Sequence, residues 1–202
     1  SYSVTGVQTC ALPISPNNYK VEILYCNGTF INYGRFNGDL WLGSDFSINA
    51  PASVSGVTMD DTYIYAAAQQ RGLLIYRRSN RQLVSETPIP GEAQKIHVEG
   101  NIAYIASRQK GLQILDITDP TNPVYKGGYV TTGYASGVDF YDGKVAVSSG
   151  SGGAYLIDVS NPSSPTLRHR ITDCGYANTV KFTGNRLAVA SRDNGILFYQ
   201  VN

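Results

Sequence analysis

Four polar residues recur at matched places in the sequence and could do chemistry together. They are Thr58, His97, Asp139 and Lys181, and each directly follows a β-branched residue in a short apolar stretch. Through them an imidazole, a carboxylate and an ammonium group could bind an ion or a small polar ligand as a channel-lining site. The alternative, which we favour, is a structural pairing of His97 with Asp139 and of Asp139 with Lys181. The other histidine, His169, lies on a different predicted strand, so we predict no metal site, no cofactor and no catalytic residue.

A second set of candidates lies in the predicted loops. Aromatic side chains beside arginines and carboxylates are typical of surfaces that bind a protein or a glycan. The alternative is that each tyrosine simply packs over the neighbouring unit, and we favour that structural role. The candidate partner-binding residues are Gln69, Arg108, Tyr134, Asp173, Tyr176, Arg192 and Asp193.

The spacing of these residues belongs to a repeat that runs along the chain. Gly72, Gly111, Gly153 and Gly195 are separated by 39, 42 and 42 residues, and other anchors keep the same register. Each unit divides into four short strands, which in the third full copy cover 137–141, 144–149, 154–160 and 166–172. No helical periodicity is present. The four glycines end equivalent loops, so we predict that they have positive φ.

Prolines fix the order of the strands within a unit. The segments "TDPTNP" (118–123) and "SNPSSP" (160–165) each make a turn, and their second proline enters the fourth strand. Proline lacks an N–H, so the fourth strand is expected at the outer edge of its sheet and the compact first strand at the centre. Four-stranded units of ~42 residues without helices are typical of β-propellers. We therefore predict an all-β fold: a partial or open β-propeller with about four to five four-stranded blades.

The stretches "GLQILDITDPTNPVYKGGY" (111–129) and "GAYLIDVSNPSSPTL" (153–167) resemble the LVIVD repeat family. This family consists of propeller repeats of bacterial and archaeal proteins that are mostly exported or at the cell surface. The resemblance covers roughly residues 50–202, although "RRSNRQL" (77–83) replaces the two prolines in the first full copy. It implies an extracytoplasmic location, either secreted or at the cell surface.

The repeat also predicts how the chain is divided. Residues 4–14 read as a translated sequencing-library adapter, so we expect residues 1–15 to be a non-native leader without strand pairing. Residues 16–49 are expected to form strands two to four of a partial blade, over 20–25, 29–34 and 40–48. Residues 50–202 hold the remaining blades, and the last lacks its outer strand. We expect strand 196–201 to be an open edge that promotes self-association, and further blades upstream, six to eight in all.

Composition excludes several functional classes. The chain has 202 residues and a formal net charge of +1, so nucleic acid is not an expected partner. No apolar run reaches the ~18 residues of a membrane span. Its three cysteines form neither a zinc motif nor an even disulfide framework. The expected function is a non-catalytic extracytoplasmic scaffold that presents loops to an unidentified protein or carbohydrate. The alternative is the propeller domain of a hydrolase, lyase or oxidoreductase whose catalytic residues lie partly in upstream blades.

Overall fold

The computed structural model describes residues 39–41 and 47–201, and their regular structure consists of β-strands. Within these residues no helix is long and apolar enough to cross a membrane. The strands from residue 56 onward form four successive antiparallel sheets, here called blades I to IV. The abundance of Val, Ile and Tyr suits the pleated, half-buried surface that these sheets present.

Each blade follows the same plan, with antiparallel neighbours in sequence order. Blade I has β3 (Gly56–Met59), β4 (Tyr63–Ala67), β5 (Leu73–Arg77) and β6 (Leu83–Thr87). Blade II has β7 (Lys95–Glu99), β8 (Ile102–Ala106), β9 (Leu112–Asp116) and β10 (Val124–Tyr129). Blade III has β11 (Gly137–Tyr141), β12 (Lys144–Ser148), β13 (Ala154–Asp158) and β14 (Thr166–Ile171). Blade IV has β15 (Ala177–Thr183), β16 (Arg186–Ser191) and β17 (Gly195–Gln200).

The first strand of each blade is the innermost, as the sequence predicts. β3 contacts β7, β7 contacts β11, and β11 contacts β15, so the four first strands lie side by side. The fourth strands lie at the opposite edges of their sheets, and Pro123 and Pro165 directly precede β10 and β14. The all-β, propeller-type arrangement is therefore confirmed.

The hydrophobic core lies in the seams between blades rather than at one centre. Alternation along each strand gives every sheet two apolar faces. In the seam between blades I and II, Leu73 and Ile75 pack with Ile105 and Leu115. Similar clusters fill the seams between blades II and III and between blades III and IV. Each buried aliphatic side chain stabilises the fold by about 1.5–3 kcal/mol, so each blade depends on its neighbours.

The glycine prediction is confirmed at all four positions. The φ angles are 79° at Gly72, 68° at Gly111, 83° at Gly153 and 74° at Gly195. In blade II a Cβ at Gly111 would lie 2.2 Å from the carbonyl oxygen of Tyr129, at the end of the outer strand. Gly72, Gly111 and Gly153 therefore need glycine both for backbone conformation and for the close approach of the fourth strand, whereas Gly195 needs it for backbone conformation alone.

The prediction of one strand over residues 40–48 is wrong. Instead β1 (Asp39–Trp41) and β2 (Ser47–Asn49) pair with each other as a two-stranded antiparallel sheet. Ile48 is buried and packs with Val54 and Val57 of the blade I core. Packing of Ile48 against blade I thus fixes the position of this segment. Its match to the fourth strand of the repeat led to the wrong assignment. The predicted strands 20–25 and 29–34 and the leader 1–15 lie outside the described residues.

Within the described residues, blade IV has three strands. β17 pairs with β16 on one side, and no strand among the described residues pairs with its other side. The open edge of strand 196–201 stays a prediction.

Candidate functional site

The inner strands bring the recurring polar residues together. Thr58, His97, Asp139 and Lys181 lie on β3, β7, β11 and β15, which are neighbours in space. Because the repeats are stacked in register, residues that are equivalent in sequence face one another across the seams. The sequence identified this line of residues without showing what bonds it makes.

Asp139 is the centre of this line. Its Oδ1 lies 3.1 Å from Nζ of Lys181 and 3.0 Å from Nδ1 of His97. Its Oδ2 accepts a hydrogen bond of 2.6 Å from the backbone N–H of Phe182. Only 4% of the carboxylate side chain is exposed. The two predicted pairings are therefore present, and Asp139 of blade III is bonded to both adjacent blades.

The electrostatics of Asp139 follow from these contacts. Burial by itself would raise the pKa of Asp139, since it removes water from the carboxylate. The hydrogen bonds from His97 and the Phe182 N–H, together with the charge of Lys181, outweigh burial and hold that pKa below its ordinary value. Asp139 therefore stays ionised at neutral pH with both oxygens engaged.

The surroundings of His97 are those of a packed residue. Its Nε2 lies 3.9 Å from Oε2 of Glu99, and its ring centroid lies 6.0 Å from that of Phe140. Phe140 stacks in turn on Tyr104 at 5.2 Å. With one nitrogen on Asp139 and the ring against Phe140, His97 has a fixed orientation.

A cleft of about 740 Å³ runs along the exposed edge of the inner strands. Hydroxyl, amide and ammonium groups on its wall could hydrogen-bond a small polar molecule. The polar wall residues include Thr58, Lys95, His97, Ser136, Asn178 and Lys181. Among the residues described, no group of three His, Cys, Asp or Glu side chains is placed to hold a metal ion.

The loops between the second and third strands, and the loops that lead into each inner strand, lie on one side of the sheets, here called the loop face. On this face Gln69 and Arg108 contact the next blade. Each forms an isolated backbone bridge to the next blade, Gln69 with Ala93 and Arg108 with Ala135. Gly150 makes the equivalent bridge to Ala177. Gln69 also donates to Oγ of Ser55 at 3.2 Å. These two candidates therefore have a structural role at the start of the following blade.

The remaining candidates, apart from Tyr134, lie in the loops of blade IV. The guanidinium carbon of Arg192 lies 3.9 Å from the centroid of the Tyr176 ring. Asp193 accepts the N–H of Tyr176 at 2.9 Å, and Asp173 accepts the hydroxyl of Tyr199 at 3.2 Å. The structure thus brings Tyr176, Arg192 and Asp193 into contact with one another, while Asp173 bonds to Tyr199 of β17.

Tyr134 differs from its counterpart Tyr176. In blade IV the residue sixteen positions after Tyr176 is Arg192, which stacks on its ring. In blade III the corresponding residue is Gly150, which offers no side chain to Tyr134. Tyr134 is 58% exposed. A one-residue difference between copies therefore leaves an aromatic ring open to a partner.

Three residues of this face were missed in the sequence. Glu92 lies sixteen residues before Arg108, the same spacing as Tyr176 and Arg192, and forms an ion pair of 3.1 Å with it. This spacing could have identified Glu92 as a candidate from the sequence. Gly150 matters because the Tyr176 ring lies over it, where a Cβ would be 3.1 Å from the ring. Val130 is 68% exposed, and no sequence signal marks it.

Comparison with known proteins agrees with this architecture. The profile of the LVIVD repeat matches residues 90–131 and 132–173. No curated protein matches the chain.

Solved structures of similar shape are distant in sequence. The computationally designed Ika4 protein gives a TM-score of 0.62 at 10% identity, over 75% of this chain and 93% of that one. The computationally designed Ika8 protein gives 0.64 at 11% identity, over 80% of this chain and 51% of that one. The Cps50 (Swd1) β-propeller domain of Myceliophteria thermophila gives 0.64 at 12% identity, over 76% and 53%.

The chain spans about half the length of Ika8 and of the Cps50 domain. At such identities the likeness shows the fold alone. The chain is therefore an all-β protein of β-propeller type that carries LVIVD repeats at residues 90–131 and 132–173.

Proposed function

We propose that this chain is a non-catalytic propeller scaffold that binds a protein or carbohydrate partner through its loop face, in a secreted or cell-surface setting. The observation that carries the proposal is Tyr134. Its ring is 58% exposed, and Val130 on the same loop is 68% exposed. Exposed aromatic residues contribute a large share of binding energy at interfaces, since they bury much apolar area at a low entropic cost.

The inner line of polar residues supports a scaffold rather than an enzyme. A general base needs a lone pair that is available to a substrate proton. Both oxygens of Asp139 accept hydrogen bonds from the protein, and His97 is oriented toward that same carboxylate. The cluster is suited to holding blades II, III and IV together. The extracytoplasmic setting is supported by the resemblance of the repeats to exported proteins.

The loop face also has the mixed character of a recognition surface. Tyr176 and Arg192 stack on one another, and Asp193 lies beside them. These groups offer an aromatic face, a cation and a carboxylate in one place, which suits either a peptide or the hydroxyl groups of a sugar.

The test is binding by the full chain, with a glycan array as one arm and affinity capture of surface proteins from the source organism as the other. Tyr134→Ala is the key variant, and Tyr125→Ala on outer strand β10 is the control. We expect a ligand in one arm, with affinity lowered roughly tenfold by Tyr134→Ala and unchanged by Tyr125→Ala. Equal binding by both variants, or no ligand in either arm, would contradict the proposal.

A further inference from the structure

Two blades use an arginine at the same position of the loop face. In blade IV the guanidinium carbon of Arg192 lies 3.9 Å from the centroid of the Tyr176 ring. In blade II Arg108 forms an ion pair of 3.1 Å with Glu92. Glu92 and Tyr176 are equivalent in the repeat, and so are Arg108 and Arg192. In both blades a guanidinium group thus contacts the residue sixteen positions before it.

Blade III has the aromatic ring of this pair without the arginine. Tyr134 is the counterpart of Tyr176, and Gly150 stands where the other two blades have Arg108 and Arg192. The Tyr134 side chain is exposed. The difference lies within blade III, all four strands of which are described. Blade III therefore presents to solvent an aromatic ring whose counterpart in blade IV is covered by an arginine.

Other tyrosines of this chain are also paired with arginines. The guanidinium carbon of Arg170 lies 5.3 Å from the centroid of the Tyr155 ring, and that of Arg77 lies 5.4 Å from the centroid of the Tyr63 ring. The negative face of an aromatic ring attracts a cation, and the planar guanidinium can also stack on it. An exposed tyrosine at this position is therefore electrostatically suited to a guanidinium from outside the chain.

The charges in the two loops beside Tyr134 do not oppose a cation. Arg108 reaches this part of the seam through its backbone bridge to Ala135, the residue after Tyr134. Its guanidinium is bonded to Glu92 at 3.1 Å, so this positive charge is already balanced. The blade III loop over residues 149–153, "SGSGG", carries no charged side chain. An incoming cation therefore meets no unbalanced positive charge from either loop.

We propose that Tyr134 binds an arginine side chain presented by a protein partner, as Tyr176 stacks on Arg192 within the chain. The proposal rests on the proposed function and makes the partner a protein rather than a glycan. A sugar stacks on an aromatic ring through its C–H groups and needs no positive charge for this contact. The two blades in which this position is covered both use a guanidinium, and this favours arginine.

Nuclear magnetic resonance of the Tyr134 ring in the full chain tests the preference for a cation. The probes are the capped tripeptide acetyl-Gly-Arg-Gly-amide and a matched tripeptide with citrulline, which has the shape of arginine without its charge. The arginine peptide is expected to shift the Tyr134 ring signals with a dissociation constant roughly two- to fivefold lower than that of the citrulline peptide. Tyr176, already covered by Arg192, should show no such preference. Methyl β-glucoside tests the alternative that the ring binds a sugar.

Two variants at position 150 supply or withhold the arginine within the chain. Gly150→Arg introduces the residue that the other two blades carry, and Arg108 already adopts a similar backbone, with a φ of 32° where Gly150 has 53°. This variant is expected to abolish the preference for the arginine peptide. Gly150→Ala places the same Cβ, 3.1 Å from the Tyr176 ring, without a guanidinium, and should keep the preference. Circular dichroism verifies that both variants fold, and the peptide comparison in the unmodified chain depends on neither.

Equal dissociation constants for the arginine and citrulline peptides, tighter binding of methyl β-glucoside than of the arginine peptide, or an arginine preference that survives in Gly150→Arg would overturn the proposal. These outcomes are distinct from a failure of the proposed function. A ligand that Tyr134→Ala loses, together with equal binding of the two peptides, would leave the proposed function in place and remove the arginine site. An arginine preference at Tyr134 without a ligand in the glycan or capture arm would contradict the proposed function alone.

Discussion

Asp139 and Lys181 lie 42 residues apart at equivalent positions of consecutive repeats, and their side chains meet at 3.1 Å across a seam. On its other side the Asp139 carboxylate lies 3.0 Å from Nδ1 of His97. One buried carboxylate thus bonds to the blade before it and the blade after it. The apolar seams hold the sheets together, and this carboxylate fixes how their inner strands are aligned.

Removing the Asp139 carboxylate is expected to destabilise the fold strongly. Asp139→Ala leaves the buried Phe182 N–H without its acceptor and removes the carboxylate that Lys181 and His97 contact, so the free energy of unfolding should fall by about 2–3 kcal/mol. The control is Asp142→Asn, whose side chain is 77% exposed and whose φ of 47° suits asparagine. It should change stability by less than about 0.5 kcal/mol. Urea denaturation followed by circular dichroism measures both, and equal losses would contradict a special role for Asp139.

The same carboxylate predicts a dependence on pH. The pKa of Asp139 in the folded chain lies below its ordinary value of about 3.9. Its contribution is therefore fully present above the unfolded pKa and is lost as the pH falls through the folded pKa. The stability gap between the unmodified chain and Asp139→Asn should narrow between pH 5 and pH 3. Urea titrations at several pH values measure this gap, and a gap that stays constant would show that the carboxylate charge is not involved.

The repeat made most of the fold predictable, because period and turn chemistry are local properties of the sequence. Asp142 and Gly143 mark a tight hairpin, and Pro165 marks the start of an outer strand, independently of what packs around them. The register of the repeats also placed Asp139 beside Lys181. In contrast, the segment 40–48 matched a fourth strand by its position in the repeat, since Ile48 lies nine residues before Val57 as Ile171 lies nine before Val180. Its division into β1 and β2 depends on packing against blade I, which no local pattern reveals.

The loop face was less predictable, because its contacts depend on which side chain each copy places at one position. Arg108, Gly150 and Arg192 are equivalent in sequence, yet the first binds Glu92 and the last stacks on Tyr176. Gly150 has no side chain, and this leaves Tyr134 exposed. A list of candidate aromatic and charged residues could not separate these cases, since it considered each residue without its partner.

Equivalent glycines are expected to tolerate alanine very differently. Gly111 has a φ of 68°, and a Cβ there would lie 2.2 Å from the carbonyl oxygen of Tyr129. Gly195 has a similar φ of 74°, but a Cβ there meets nothing within 4 Å. Gly195→Ala should therefore cost about 1–2 kcal/mol for its backbone alone, whereas Gly111→Ala should cost clearly more, about 3 kcal/mol or above. Thermal and urea unfolding of the two variants compare these costs, and equal losses would show that the outer strand does not add to the requirement.

Tyr76 carries a buried hydroxyl that has no hydrogen-bond partner among the described residues. Burial, with a smaller contribution from the charge of Glu86, raises the pKa of Tyr76 to about 12. In blade IV the equivalent Tyr199 donates to Asp173. Asp173 lies seven residues before Val180, the inner-strand valine of blade IV. The residue seven positions before the equivalent Val57 of blade I is Ala50. Blade I thus has the tyrosine of blade IV without the acceptor that Asp173 supplies there.

Tyr76→Phe is accordingly expected to raise the free energy of unfolding by about 1 kcal/mol, because a buried donor without an acceptor costs its full desolvation. The matched control is Tyr65→Phe on strand β4. Tyr65 is equally buried, and its hydroxyl donates to Asp60 at 2.7 Å, so this variant should lose about 1–2 kcal/mol. The two substitutions remove the same atom from similar environments, and only the presence of a partner differs. Chemical denaturation at neutral pH measures both changes, and a loss in Tyr76→Phe as large as that in Tyr65→Phe would mean that the Tyr76 hydroxyl is bonded in solution.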